Sequence, residues 1–77
     1  MNGRIAETLL YLDGFKGENP NIFQLLSLKD LADFAGISTE SAVKLLKGFE
    51  KDGLIGLHEK DIVIVNIREL HEISKKG

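Results

Sequence analysis

Residues 31–46 read LADFAGISTESAVKLL, and this stretch decides the fold. Apolar residues recur at helical spacing on both sides of Gly36. Glycine is the residue that most readily takes the positive φ at which a helix ends, and Ser38 is a preferred first cap of a new helix. The stretch therefore predicts two helices joined by a three-residue turn.

The first of these helices is predicted to begin at Ser27, whose side chain can cap the amide of Asp30 three residues on. Asp30 itself suits the electropositive first turn. Small Ala32 allows the two helices to approach closely. The apolar contact between them is predicted to come from Leu31, Ala35, Ile37, Ala42 and Leu45, with Ile37 buried. A plain turn between two core helices is the alternative, but the combined pattern favours a helix-turn-helix.

The second helix, residues 38–51, has the clearest pattern in the chain. Ala42, Leu45, Leu46 and Phe49 share one face by their spacing of three, four and seven residues. The opposite face carries four charged residues: Glu40, Lys44, Lys47 and Lys51. Such a helix, held by its apolar side, has the width that enters a DNA major groove. An ordinary solvated helix side is the alternative for this charged face.

The remaining residues predict smaller elements around this pair. A helix over residues 4–12 ends at Asp13-Gly14, and a polar loop over residues 15–21 leads to a short strand over 22–26. Residues 54–57 and 61–67 predict a hairpin with its tip at 58–60, and Asn66 can cap a last helix that holds Leu70 and Ile73. The predicted fold is mainly α with a small β-hairpin. It is a single winged helix-turn-helix domain over residues 1–77, with the helix-turn-helix at 27–51, the wing at 54–67 and a short C-terminal helix.

Composition narrows the function. The chain has 77 residues, a net charge of -2 and no cysteine, so a disulfide framework and a thiolate metal site are excluded. We expect a cytoplasmic protein, because cysteine-free composition suits a reducing compartment and no apolar run reaches membrane-helix length. His58 and His71 stand alone, so no metal site is expected. The sequence lacks a convergent acid pair, a nucleophile–base pair and a phosphate-binding glycine loop, so neither enzyme activity nor a cofactor is expected.

The run LSLKDLADFAGISTESAVKLLKGFEKDGLI, residues 26–55, resembles the DNA-binding domain of the Crp/Fnr family of bacterial transcription regulators. The opening RIAETLLYL resembles the first helix after that family's dimerisation helix. The resemblance implies a winged helix-turn-helix, double-stranded DNA as partner, promoter binding as a homodimer and contact with RNA polymerase. It also implies an upstream sensory β-barrel and dimerisation helix. Neither is within the 77 residues, so we expect a separated C-terminal domain without an effector site.

The resemblance also suggests the DNA-contacting residues. Base contacts are expected from Thr39, Glu40, Val43 and Lys44, and phosphate contacts from Ser27, Lys29, Ser38, Ser41, Lys47, Lys51 and Lys60. Lys44 stands where the family usually has arginine, and Leu28 where it commonly has a basic residue. Glu40 has an alternative role as a first-turn partner of the helix dipole. For the domain as a whole, the alternative is a winged-helix module for protein–protein interaction.

Overall fold

A computed structural model of the protein describes residues 2–58 and 61–76. The elements are α1 (Asn2–Asp13), α2 (Ile22–Leu25), α3 (Leu28–Ala35), α4 (Thr39–Lys51), β1 (Ile55–His58), β2 (Asp61–Ile64) and α5 (Ile67–Lys76). The two strands pair antiparallel, with Ile55 opposite Ile64 and His58 opposite Asp61. The predicted winged helix-turn-helix, mainly α with a small hairpin, is confirmed.

The core lies where α1, α3 and α4 meet, and the other elements close it. Helix α1 packs against α5 as well as α3, and the hairpin packs on α4 and α2. The buried apolar residues are Ile5, Ala6, Leu9, Leu12, Phe23, Leu31, Ala32, Ala35, Ala42, Leu46, Phe49, Leu54, Ile55, Ile62 and Leu70. Every element thus contributes at least one side chain to one continuous core, which leaves the outer side of α4 uncovered. Within the described residues, no helix is both long and apolar enough to cross a membrane.

The strand predicted over residues 22–26 is wrong, because Ile22–Leu25 form the short helix α2. The amides of Gln24 and Leu25 both donate to the carbonyl of Asn21, at 2.9 and 3.1 Å, which are turn and helix bonds. Phe23 is fully buried in the core, while Leu25 points outward. A run this short and this apolar is compatible with both structures, and the burial of Phe23 decides between them.

The hairpin is correctly predicted, but the second strand was expected to run to Ile67 and ends at Ile64. The first strand has only four residues, so positions after Ile64 have no partner in the ladder. Instead the amides of Val65 and Asn66 donate to the carbonyl of Leu54, at 2.8 and 3.0 Å. The chain then turns directly into α5, of which Ile67 is the first residue.

Asn66 caps helix α5 as predicted, and its Oδ1 accepts the Glu69 amide at 3.1 Å. Leu70 is fully buried, and Ile73 is half-buried against the core. Of the predicted hairpin tip, His58 belongs to β1. The other two tip residues, Glu59 and Lys60, lie outside the described residues.

Candidate nucleic-acid interface

The turn between α3 and α4 is fixed by backbone geometry. Gly36 has φ +71° and ψ +33°, the left-handed conformation that the sequence predicts for this position. Its amide donates to the carbonyls of Ala32 and Asp33, and the Ile37 amide donates to Ala32 at 3.0 Å. Ile37 is half-buried against the core instead of fully buried as predicted. This bonding fixes the angle at which α4 leaves α3.

A reciprocal capping box starts α3. The Asp30 amide donates to Ser27 Oγ at 3.1 Å, and the Ser27 amide donates to Asp30 Oδ2 at 3.0 Å. The hydrogen bond from the Ser27 amide, followed by the Ser27 side chain and the nearby Lys29 charge, lowers the pKa of the Asp30 carboxyl below its ordinary value. The Ser27 side chain is therefore engaged by both the amide and the carboxylate of Asp30.

A second serine pair starts α4. Ser38 Oγ accepts the Ser41 amide at 3.1 Å and donates to Ser41 Oγ at 3.0 Å. Ser38 is therefore the predicted N-cap, and its hydroxyl proton is used within the cap. The Ser41 hydroxyl keeps its own proton for an outside acceptor. Of the Ser38–Ser41 pair, Ser41 is the one placed to donate to an outside acceptor.

Helix α4 has the two faces that its sequence predicts. Ala42, Leu46 and Phe49 are buried, and Leu45 is half-buried beside them. The opposite side is a row of four exposed side chains, here called the outer row: Glu40, Lys44, Lys47 and Lys51. The outer row carries three positive charges and one negative charge. The two ion pairs formed among residues 2–58 and 61–76 use Lys16 and Lys75, so neither engages the outer row.

A comparison with protein families matches residues 3–73 to the Crp-like helix-turn-helix domain. The chain belongs to this family. The resemblance to the Crp/Fnr DNA-binding domain is thereby confirmed, and the domain is of a kind that binds DNA and regulates transcription and is not enzymatic. A search of curated proteins found none that matches the chain.

The residues predicted to read bases occupy two adjoining positions in this Crp-like domain. Thr39, Glu40 and Lys44 are exposed on the N-terminal half of α4. Val43 is half-buried and lies beside the outer row, where it lines a groove together with Leu28 and Lys47. Val43 therefore faces the groove side of α4, next to the outer row and not within it.

The residues predicted to contact phosphate lie on two helices. Ser27 and Lys29 are exposed at the start of α3, and Lys47 and Lys51 continue the outer row along α4. Ser27 and Lys47 line the same groove, so the fold brings the start of α3 next to the middle of α4. Lys60 lies outside the described residues.

Sequence reasoning missed Lys16, which joins the wing of the Crp-like domain to its helices. Lys16 Nζ donates to the Ile62 carbonyl at 2.7 Å and lies 3.9 Å from Asp61 Oδ1. It also lies 5.1 Å from the centre of the Phe23 ring. Lys16 and Ile62 are 46 residues apart in the sequence, so no local sequence pattern could have revealed their contact.

Proposed function

We propose that this Crp-like domain binds double-stranded DNA sequence-specifically, with α4 in the major groove and the wing against the adjacent backbone. The observation that supports this is the outer row, exposed on a helix whose other side is held in the core. Capped ends and the glycine turn orient α4, so binding does not require the helix to be ordered first. A preordered helix is the geometry that helix-turn-helix proteins present to base edges.

Charge placement supports DNA as the partner although the whole chain is acidic, with a net charge of -2. The outer row has a net charge of about +2 at neutral pH, from Lys44, Lys47, Lys51 and Glu40. Lys29 adds a positive charge at the start of α3. Phosphate attraction acts over about 8 Å at physiological salt, so this local charge matters more than the total.

Each side chain has a separate proposed role. Glu40 accepts from a cytosine amino group, and Lys44 donates to guanine without the two-pronged geometry of arginine. Thr39 and Val43 contact thymine methyl groups. Phosphate contacts come from Ser27, Lys29, Ser41, Lys47, Lys51 and Lys60. Because the Ser38 proton is used within its cap, the contribution of Ser38 is to hold Ser41 in place.

Selection from a random duplex pool, followed by fluorescence anisotropy over a salt series, tests the proposal. The affinity for selected DNA should fall with salt by about 0.9 log unit per log unit of salt for each phosphate contact. A flat salt response, or no enrichment of any sequence by a chain dimerised through a fused coiled coil, would refute it. Dimerisation is included because one recognition helix makes a small interface, and a dimer reads half-sites about 34 Å apart.

Two matched variants separate base reading from phosphate binding. Lys44→Ala should weaken binding to the best DNA site by about 1–3 kcal/mol and reduce selectivity at one base pair. Lys47→Ala should weaken all sequences about equally and reduce the salt slope by roughly 1. If Lys44→Ala changes neither affinity nor sequence preference, α4 does not read bases through this residue.

A protein-interaction module is the second candidate, and exposed leucines favour it. Leu28 is exposed at the start of α3, where the Crp/Fnr resemblance implies a basic residue, and Leu25 is exposed next to it. Exposed apolar patches of this kind mark contact sites for other molecules. In a full-length regulator, we expect a homodimer in which the domain also contacts RNA polymerase. Binding to a protein partner with no salt-dependent DNA binding would favour this candidate over the first.

A further inference from the structure

A concave groove lies between α2, the start of α3, the side of α4 and the wing. Its volume is about 520 Å³, within the range of roughly 300–1,000 Å³ that is typical of small-molecule sites. Buried Phe23, Leu31, Leu46 and Ile62 line it, and half-buried Val43 and Leu57 complete the apolar surface. The groove therefore combines the size and the apolar lining of a ligand site.

The rim of the groove is also apolar on one side. Leu25 is 69% exposed and Leu28 is 45% exposed, and both belong to the lining. These two residues lie on either side of Leu26 and Ser27, at the junction of α2 and α3. A molecule in the groove would shield both leucines from water, which favours binding in proportion to the apolar area covered.

Of the charged side chains at the groove, Lys47 forms no ion pair within the described residues. Asp61 and Lys47 are the charged residues of its lining. The Asp61 carboxylate accepts the Ile62 amide at 2.9 Å and lies 3.9 Å from Lys16, so its charge is already compensated. Among the residues that the structure describes, no carboxylate pairs with Lys47. An occupant that carries one anionic group is therefore favoured over a neutral or cationic one.

We propose that this groove binds a small amphiphilic carboxylate, with its hydrocarbon part between Leu25, Leu28 and Leu57 and its carboxylate at Lys47. A free straight-chain carboxylate of medium length has the required chemistry, because it joins one anion to an unbranched apolar chain. Ser27 also lies at the rim, but its side chain is held by Asp30, so Lys47 alone is assigned to the carboxylate.

Occupation of the groove would oppose DNA binding, and this consequence rests on the proposed function. Ser27 and Lys47 line the groove and are also proposed phosphate contacts. A carboxylate at Lys47 neutralises the charge that would otherwise face a phosphate. The groove would then act as an effector site within the DNA-binding domain, a site that no pattern in the sequence indicates.

The direct test is methyl NMR of the full chain in the absence of DNA, titrated with hexanoate, octanoate and decanoate below their micelle concentrations. Saturable shifts are expected at Leu28, Val43 and Leu57. Affinity should rise roughly fourfold for each added methylene until the groove is filled. An absence of saturable shifts at these methyl groups, or an affinity independent of chain length, would overturn the proposal.

Variants give matched controls. Leu25→Gln should weaken octanoate roughly fivefold, because it removes an apolar rim residue that is exposed enough to be replaced without unfolding. Val65→Gln removes a similarly exposed residue, 64%, outside the groove and should have no effect. Lys47→Gln should weaken octanoate roughly threefold and leave 1-octanol unchanged. Equal losses for the acid and the alcohol, or equal losses for Leu25→Gln and Val65→Gln, would refute the assigned contacts.

A DNA competition experiment separates the two proposals. With selected DNA, octanoate should raise the dissociation constant of the wild-type chain more than that of Leu25→Gln. A chain that binds octanoate but no DNA would refute the proposed function and support the groove. A chain that binds DNA but shows no octanoate response by NMR would refute the groove and leave the proposed function standing.

Discussion

Two glycines of the helix-turn-helix should respond in opposite directions to the same substitution. Gly36 holds φ +71° at the turn, a conformation that costs an L-residue roughly 1–2 kcal/mol. A Cβ there would lie 3.1 Å from Arg4 Nη1, the mobile end of a side chain that can move aside at small cost. Alanine also lowers the entropy of the unfolded chain, which offsets part of the loss. Gly36→Ala should therefore destabilise the fold by about 1 kcal/mol.

Gly48 lies inside α4, and apart from its chain neighbours and the backbone of the same helix no atom lies within 4 Å of a Cβ added there. Glycine in a helix interior is about 0.8–1.0 kcal/mol less favourable than alanine. Gly48→Ala should therefore stabilise the fold by about that amount. The two variants add the same methyl group within one helix-turn-helix, so their opposite signs isolate backbone conformation as the cause.

Thermal unfolding followed by far-ultraviolet circular dichroism measures both effects. For a domain of this size, 1 kcal/mol corresponds to a shift of roughly 4–8 °C in Tm. Gly36→Ala should lower Tm by about that amount, and Gly48→Ala should raise it. Gly36→Asn should lose less than Gly36→Ala, since asparagine tolerates the left-handed region. Equal Tm values for the two alanine variants would refute the assignment of Gly36 as the conformational stop.

Four further substitutions test the core and the caps. In urea unfolding, Leu46→Ala should lower the free energy of unfolding by about 2–5 kcal/mol. Leu45→Ala should lower it clearly less, because Leu45 is half-buried and only Leu46 is fully enclosed. Equal losses would mean that both residues are buried to the same extent. Asn66→Ala should lower the stability by about 1 kcal/mol, because it removes the N-cap of α5. Hydrogen exchange of the first amides of that helix should become faster. The lowered pKa of Asp30 means that its ionised form favours the folded state above the ordinary pKa of 3.8, and this contribution is lost as pH falls through the folded-state value. The stability difference between wild type and Asp30→Asn should accordingly shrink on acidification below about pH 4, and a difference that grows instead would contradict the capping-box assignment.

The helix-turn-helix was predictable because its determinants are local. The caps at Ser27 and Ser38 and the stop at Gly36 each depend on residues no more than four positions away. The inner face of α4 repeats often enough for its period to be unambiguous. The exposure of Glu40 and Lys44 follows from that same period. Short-range rules therefore suffice to predict this part of the fold and the outer row of α4.

The errors arose where a local pattern is short or where a partner strand sets a limit. Residues 22–26 are too few to show a period, and the core position of Phe23 made them helical. The β-branched run after Asp61 suits a strand as far as Ile67, but β1 offers only four partners. The groove at Leu25 and Leu28 likewise depends on four separate segments meeting. Such features follow from tertiary packing, which sequence spacing does not record.

The bond between Lys16 and the wing has a consequence for how changes spread through the domain. An isolated two-stranded ribbon is marginally stable in water, so this hairpin depends on its neighbours for its position. Lys16 supplies one such support from the segment between α1 and α2, through the Ile62 carbonyl and Asp61. Substitutions in that segment should therefore tilt the hairpin relative to α4. Under the proposed function, variation between α1 and α2 would alter sequence preference through the position of the hairpin and not through a changed DNA contact.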